Sequence, residues 1–402
     1  ASFGWQTAWR HRDVTSATDY AILQNERRIN GGMAPLYADP YNLKDSNGDP
    51  VKGFGTDWQN LVFNDNAPVT NHEVSVSGAS DKLNYYMSIG YYSQDGIVGG
   101  NYGHSNYNRL SMRSNNIYNA FDMSNERNFL NKLDITVNLA YTRIKSSGVD
   151  VNSEFGSVLG SALYLAPTIA PTVTNEAMAE QYYRDYESPY IYNADGEVIG
   201  NKETTIYQPA KDANGNYYTI PGRLGSYGEM NNPLGMLARN PSKNWSHKFV
   251  PKFTIDLQIW DNLKYHFSYS ADMSFWGSDS SNIFQSYLSG NNKDEHTAVS
   301  SSTNKGINWQ IENTLTYDKQ FGKHSIGVVL GQSAMKNKSD YLGAERWNVI
   351  NPLKPNLNYT NGNVIYTVDE DGKLIGKPYA EFNGWGGINV EHRISSLFGR
   401  VS

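Results

Sequence analysis

The sequence predicts an all-β chain that crosses a membrane as an antiparallel β-barrel, and three observations carry that fold class. Apolar and polar residues alternate along segments of about 9–11 residues, the length a tilted strand needs to span a bilayer, whereas soluble strands usually run about 5–6. Short turns and long connections follow one another in strict order, so the loops are sorted by end. No apolar run approaches the roughly 18 residues a helical span requires, which leaves strands to do the crossing. Composition agrees. Of 402 residues, 39% are hydrophobic and 18% charged, both low for a soluble domain, yet 13% are aromatic, which argues against disorder. Strands that give one face to lipid and the other to a polar lumen produce that balance.

The clearest alternation runs through Leu83–Tyr92, Leu133–Tyr141, Phe253–Trp260, Leu263–Met273 and Ile307–Tyr317. In Leu133–Tyr141, for example, Leu133, Ile135, Val137, Leu139 and Tyr141 oppose Asp134, Thr136, Asn138 and Ala140. Asn313 is the one polar intruder on the apolar face of the last run. Tight turns are expected at Ser80-Asp81-Lys82, Asp261-Asn262 and Gly322-Lys323, with a longer one near Ser124–Asn131. The other connections are long (Arg10–Asn71, Ser146–Ser246, Gly277–Lys305 and Lys336–His392), and only Gly99–Asn106 is brief. Short turns are assigned to the periplasm and long loops to the outside. Within the loops, Val14–Arg28 predicts a short helix capped by Thr15 or Ser16, and Asn231–Arg239, with Pro233 early, predicts another helical turn. Asp195-Gly196, Asn214-Gly215 and Asp371-Gly372 are hairpin-turn dipeptides.

The chemistry search excludes more than it finds. Net charge is −6 and no basic cluster stands out along the sequence, so a nucleic-acid partner is not expected. Zero cysteines remove disulfides and thiolate chemistry. No nucleotide, zinc or nucleophile-elbow motif occurs, so no catalytic residue, cofactor or metal ligand is assigned and the chain is not expected to be an enzyme. Asp45-Ser46-Asn47-Gly48-Asp49 has some features of a calcium loop, but its glycine falls early and no closing Glu follows; a plain polar turn is the expectation. His266 and the carboxylates Asp134, Asp256, Asp272 and Glu312 fall on polar strand faces, where they would line a lumen.

Aromatics fall into two groups. Tyr91, Tyr92, Tyr141, Trp260, Tyr265 and Tyr317 lie near strand ends, as in an interfacial girdle. Trp58, Tyr190, Tyr217, Trp347 and Trp385, with Tyr182, Tyr183 and Tyr218, fall in the long connections. Rings flanked by Asn and Asp suit sugar faces or peptide side chains, so the first five are the candidate substrate contacts. Packing of the loops on one another or on a partner is the competing role.

Several long segments in fixed order resemble SusC/RagA-type TonB-dependent outer-membrane transporters. They are Gly55-Thr56-Asp57-Trp58-Gln59-Asn60-Leu61-Val62-Phe63, Ala67–His72, Val74–Gly78, Tyr91–Val98, Asn232-Pro233-Leu234-Gly235-Met236-Leu237, Glu312–Tyr317 and Arg393–Val401. The resemblance implies a barrel of roughly 22 strands, of which this chain would supply about ten. By that mapping Ala1–Trp9 is the first strand, and residues 1–402 are the N-terminal part of the barrel domain. The plug, the TonB box and the closing strands are then absent, in keeping with two ends that both fall in strand-like sequence. The resemblance further implies oligosaccharide or peptide import in the bacterial outer membrane. It also implies a SusD-like surface lipoprotein as lid and energy from a TonB–ExbB–ExbD complex. A soluble, β-rich glycan-binding or adhesion protein of the cell surface is the alternative, and a surface glycoside hydrolase a distant third.

Overall fold

The computed structural model describes residues 1–99, 102–149, 152–153, 156–188, 190–193, 195–201, 210–224, 227, 229–239, 242–283, 297–351, 353–360, 364–368, 374–378 and 383–402. In chain order the elements begin with β1 (Ser2–Gln6), α1 (Ala17–Asn30), α2 (Trp58–Val62), β2 (Ala67–Ala79), β3 (Leu83–Asp95), β4 (Asn106–Asp122) and β5 (Lys132–Ser147). Next come α3 (Val158–Tyr164), α4 (Glu176–Tyr182), β6 (Tyr190–Tyr192), β7 (Val198–Asn201), α5 (Pro233–Leu237), β8 (Lys243–Trp260) and β9 (Leu263–Asn282). Last are β10 (Ala298–Phe321), β11 (His324–Trp347), β12 (Val364–Val368), β13 (Leu374–Pro378) and β14 (Asn383–Val401). Ten of the strands form one antiparallel sheet in the order β1-β2-β3-β4-β5-β8-β9-β10-β11-β14, while β6-β7 and β12-β13 are separate loop hairpins. The sheet is a partial transmembrane barrel, as the alternation predicts.

Register explains why one face is apolar over the whole wall. Leu133, Ile135 and Val137 pair with Leu257, Ile255 and Phe253, and Ile255 and Phe253 pair in turn with Phe267 and Tyr269. Because side chains alternate with period two, in-register neighbours share a face and the apolar stripes fuse into a band. Asn313 does not break it. Its amide accepts from Tyr265 Oη at 2.6 Å and donates to Gln332 Oε1 at 2.9 Å, so the polar group is satisfied across three strands.

The outermost residue of that band's continuous apolar run lies lower in the register at one edge of the sheet than at the other. On β1 it is Trp5, in the row that reaches Ser147 of β5, and on β14 it is Leu397, in the row of Ile135. About twelve residues at ~3.3 Å, against nine strand spacings of ~4.8 Å, correspond to a tilt of about 43°, within the range closed barrels require. The band is level only if the strands lean.

Strands are longer than the expected 9–11 residues, and this corrects the loop boundaries. β10 and β11 each run 24 residues and β9 runs 20. Their outer halves, such as Val299-Ser300-Ser301-Ser302-Thr303-Asn304, carry no apolar alternation because neither face meets lipid there, yet the backbone ladder continues. Four glycines in the wall sit directly opposite an aromatic ring: Gly78 with Tyr85, Gly277 with Trp245, Gly331 with Phe398 and Gly343 with Trp385. Each ring covers the backbone where a Cβ would stand, shielding ladder hydrogen bonds.

Turn chemistry is as expected at the short end. Ser80 Oγ accepts from the Leu83 N–H, and Gly322 takes the left-handed φ of 62° that the β10–β11 turn needs. The helix expected at Val14–Arg28 is α1, which starts three residues and ends two residues later and is capped by Ser16, whose hydroxyl accepts from Asp19 N–H. Asn232 caps α5 with Pro233 in its first turn. Gly196 and Gly215 have φ near +80° in their turns, whereas Asp371-Gly372 lies outside the described residues.

Candidate functional site

The long connections fold on one another into a cap with its own core. Trp58, Val62, Val98, Val158, Ala162, Leu165, Ala166, Ile169, Met230, Leu234 and Leu237 form one buried cluster. It draws on the β1–β2, β3–β4 and β5–β8 connections. Polar stitches fix the same junction. Trp58 donates its indole N–H to Ala166 O at 3.1 Å, and Thr56 Oγ1 donates to Ile169 O at 2.7 Å. Asn232 donates to Pro171 O and Thr219 O while its carbonyl accepts from Leu234 and Gly235 N–H. Gly55 has φ +89° and a Cβ there would lie 2.5 Å from Pro167 O, so only glycine lets the loop pass. Asp45–Asp49 is a polar turn: Asp45 Oδ1 accepts from Asn47 and Asp49 N–H, and no metal-binding cluster occurs among the described residues.

Beside this core a cleft of about 830 Å³ opens between α1 and Lys44–Ser46, Thr168, Ile169, Leu224, Tyr227, Glu229 and Met230. That volume is within the usual range for ligand sites. Tyr20, Tyr37, Tyr164 and Tyr227 line it, together with the charged residues Arg27, Arg28, Lys44, Asp45 and Glu229. Tyr20, Gln24, Arg27 and Arg28 lie at i, i+4, i+7 and i+8, one face of α1. The hydroxyls of Tyr20 and Tyr227 hydrogen-bond to each other, and Tyr37 Oη lies 3.3 Å from Thr168 Oγ1. Burial pushes the Tyr20 phenol up. Burial, and then the bond to Tyr20, push Tyr227 far above the ordinary tyrosine range. Both therefore stay neutral, and a pair of neutral hydroxyls between aromatic faces can stack on and hydrogen-bond an oligomer at once. A second cavity, of about 900 Å³, sits at the outer ends of β9 and β10 against Leu353–Asn358. Its described lining has no aromatic ring.

None of the five sequence-chosen aromatics lines the tyrosine cleft. Trp58 is 3% exposed in the cap core. Tyr217 is buried against Tyr182, with ring centres 5.6 Å apart and Lys211 Nζ 4.3 Å above its face. Trp347, expected in a loop, is the last residue of β11 and is buried, donating to Glu345 at 2.8 Å. Trp385, also expected in a loop, belongs to β14 and covers Gly343 while remaining exposed. Tyr190 is exposed on the β6–β7 hairpin. The tyrosines that do meet in the cleft had one usable signal, the repeat of Tyr20, Gln24 and Arg27–Arg28 along α1. On the polar wall face two titratable pairs meet, His266 with Asp256 at 2.6 Å and Lys248 with Asp272 at 2.7 Å.

Comparison with known proteins places this architecture. No protein-family profile matches the chain. It is 24% identical over 398 residues to TonB-dependent receptor P26 of Formosa agariphila, covering 97% of this chain and 30% of that protein. It is 23% identical over 353 residues to TonB-dependent receptor P3 of the same organism, covering 86% and 28%. The chain thus spans about a third of the length of these relatives. Chains of the RagAB peptide importer in its open-open and closed-closed states superpose with a TM-score of 0.59 at 15% identity, over 98% of this chain and 36% of theirs. The class is therefore a partial outer-membrane-type barrel with the fold of a TonB-dependent transporter wall. Within that class, the likeness in sequence is to the TonB-dependent receptors of Formosa agariphila and the likeness in fold is to the RagAB importer.

Proposed function

We propose that this chain forms part of the wall and outer cap of an outer-membrane importer. In this reading it captures a nutrient oligomer, an oligosaccharide or a peptide, in the tyrosine cleft and passes it into a polar lumen. The single observation that carries the reading is the cleft itself: four tyrosines and charges of both signs converge beside a rigid loop core, above a wall with one lipid-ready face. Selectivity comes from stacking and hydrogen bonding, with no bond chemistry, and transport from an energised plug supplied outside these residues. In the full transporter a SusD-like lipoprotein closes over the cap and a TonB complex supplies the energy. Residues 1–402 then correspond to the first strands of the barrel domain. A soluble surface binder is disfavoured by the continuous exposed apolar face, on which Val74, Leu330 and Leu397 are 70%, 57% and 84% exposed.

The test is capture of labelled oligosaccharide and labelled peptide by cells carrying the full-length transporter with Tyr20→Ala or Tyr37→Ala. Loss of one stacking ring is expected to weaken capture of the true ligand roughly three- to tenfold. Unchanged capture of both ligand classes would sink the cleft as the binding site.

A further inference from the structure

The outward face of the wall does not end where its apolar band ends. On β11 the run of apolar outward residues is interrupted after Ala334: the next two outward positions are Lys336 and Lys338, followed by Asp340 and then the exposed Leu342. Arg393 pairs with Lys336 and Glu391 with Lys338 on β14, and Lys305 pairs with Asp340 on β10. Period-two geometry therefore places all six on the lipid-side face, where Lys336 and Lys338 sit beside Trp309 and Ile307, the last apolar outward residues before Lys305 on β10. They touch: Lys336 Nζ is 3.4 Å from Glu391, Lys305 Nζ 3.6 Å and Lys338 Nζ 3.5 Å from Asp340, and Arg393 also bonds Glu391. Four cations share two carboxylates, so the cluster carries a surplus of two positive charges. Further along the rim of the band, Arg143 and Lys145 follow Tyr141 on β5, both exposed and without an acidic partner among the described residues.

We infer that this rim binds the phosphate groups of anionic lipid headgroups in the outer leaflet. Two outward positions along a strand tilted about 43° climb roughly 5 Å each along the membrane normal, which sets these cations in the headgroup layer rather than in free solvent. The opposite rim is different. There Lys319 is the one Lys or Arg at an outward strand position among the described residues. A solubilising role would not favour one rim, and a ligand bound from the lumen or the cap could not reach this face. Glu391 and Asp340 hold the ammonium groups apart in a fixed row, which suits the spaced negative charges of neighbouring phosphates. Each exposed cation near an anionic surface adds attraction that salt screens.

The experiment uses the full-length protein in detergent, with native mass spectrometry to count retained phosphatidylglycerol against phosphatidylcholine at increasing salt. Lys336→Gln with Lys338→Gln and Arg393→Gln is expected to lower phosphatidylglycerol retention about tenfold and leave phosphatidylcholine unchanged. Lys336→Arg with Lys338→Arg is expected to keep it. The lumen-side change Lys252→Gln with Lys264→Gln, in a barrel of the same heat-resistant mobility, separates a local site from general charge. Wild-type retention in the neutralised variant overturns the inference, as does an equal loss in the lumen-side variant. Displacement of the lipid by millimolar inorganic phosphate also overturns it, since the site would then be one for free phosphate.

Discussion

The wall and the cap of this chain are built on opposite plans. The wall has almost no buried core: its apolar side chains face outward, and its order comes from an unbroken backbone ladder across ten strands. The cap has little regular structure but buries eleven residues in one cluster and ties its loops with side-chain amides. A wall solvated by lipid needs only the right period, because lipid takes up any apolar surface presented to it. A cap standing in water has to find its own hydrophobic partners, and it does so between segments more than a hundred residues apart.

The largest break in that contrast is expected from Trp58→Ala. It removes the central ring of the cap and its bond to Ala166, at a cost of about 3–5 kcal/mol. Limited proteolysis of the folded barrel should then cut the β1–β2 and β5–β8 connections, while the heat-resistant barrel band persists; loss of both together would mean that wall and cap are one folding unit. Val137→Lys or Ile255→Lys should do the reverse, impairing membrane assembly by about 2–4 kcal/mol each near the midplane. Normal assembly of both would mean that the outward face has been misassigned. Asn232→Ala should cost about 1–3 kcal/mol, because it takes the amide from the Thr219 carbonyl, leaves Pro171 O with the Thr219 N–H alone and uncaps α5; thermal release of the cap checks it. The mildest effect is on pH. Tyr20 and Tyr227 stay protonated in the cap but ionise near pH 10 once it opens. A folded-state pKa raised above the unfolded value gives stability that is complete below about pH 10 and falls as pH rises further. Proteolysis of the cap, followed from pH 8 to 11, should therefore accelerate only at the alkaline end, and Tyr227→Phe should flatten the rise.

The same contrast explains how much could be read in the sequence. Leu133–Tyr141 and Phe253–Trp260 announce themselves because lipid imposes period two on every wall residue it touches. The outer halves of β9, β10 and β11 do not, since ladder hydrogen bonds are blind to side chains; Trp347 and Trp385 therefore looked like loop residues. α1 and α5 were legible from Ser16, Asn232 and Pro233, which act locally. α2, α3 and α4 carry Asp57, Ser157 and Asn175 caps too, but they are five to seven residues long and too short to show a face. The cleft was least legible. Tyr20 and Tyr37 come from the β1–β2 connection and Tyr164 and Tyr227 from the β5–β8 connection; apart from the α1 repeat at Tyr20, nothing in their local sequence distinguishes them from Tyr182 or Tyr217, which pack against each other.

The length of the β10–β11 hairpin has a consequence for the wall. Strands of 24 residues, at ~3.3 Å per residue and tilted about 43°, stand roughly 58 Å tall, close to twice the hydrocarbon thickness. The hairpin is therefore taller than the hydrocarbon layer it crosses, and about half of its length has no lipid to order it. That half stands on the backbone ladder alone, so its straightness is inherited from the strands beside it rather than from the solvent around it.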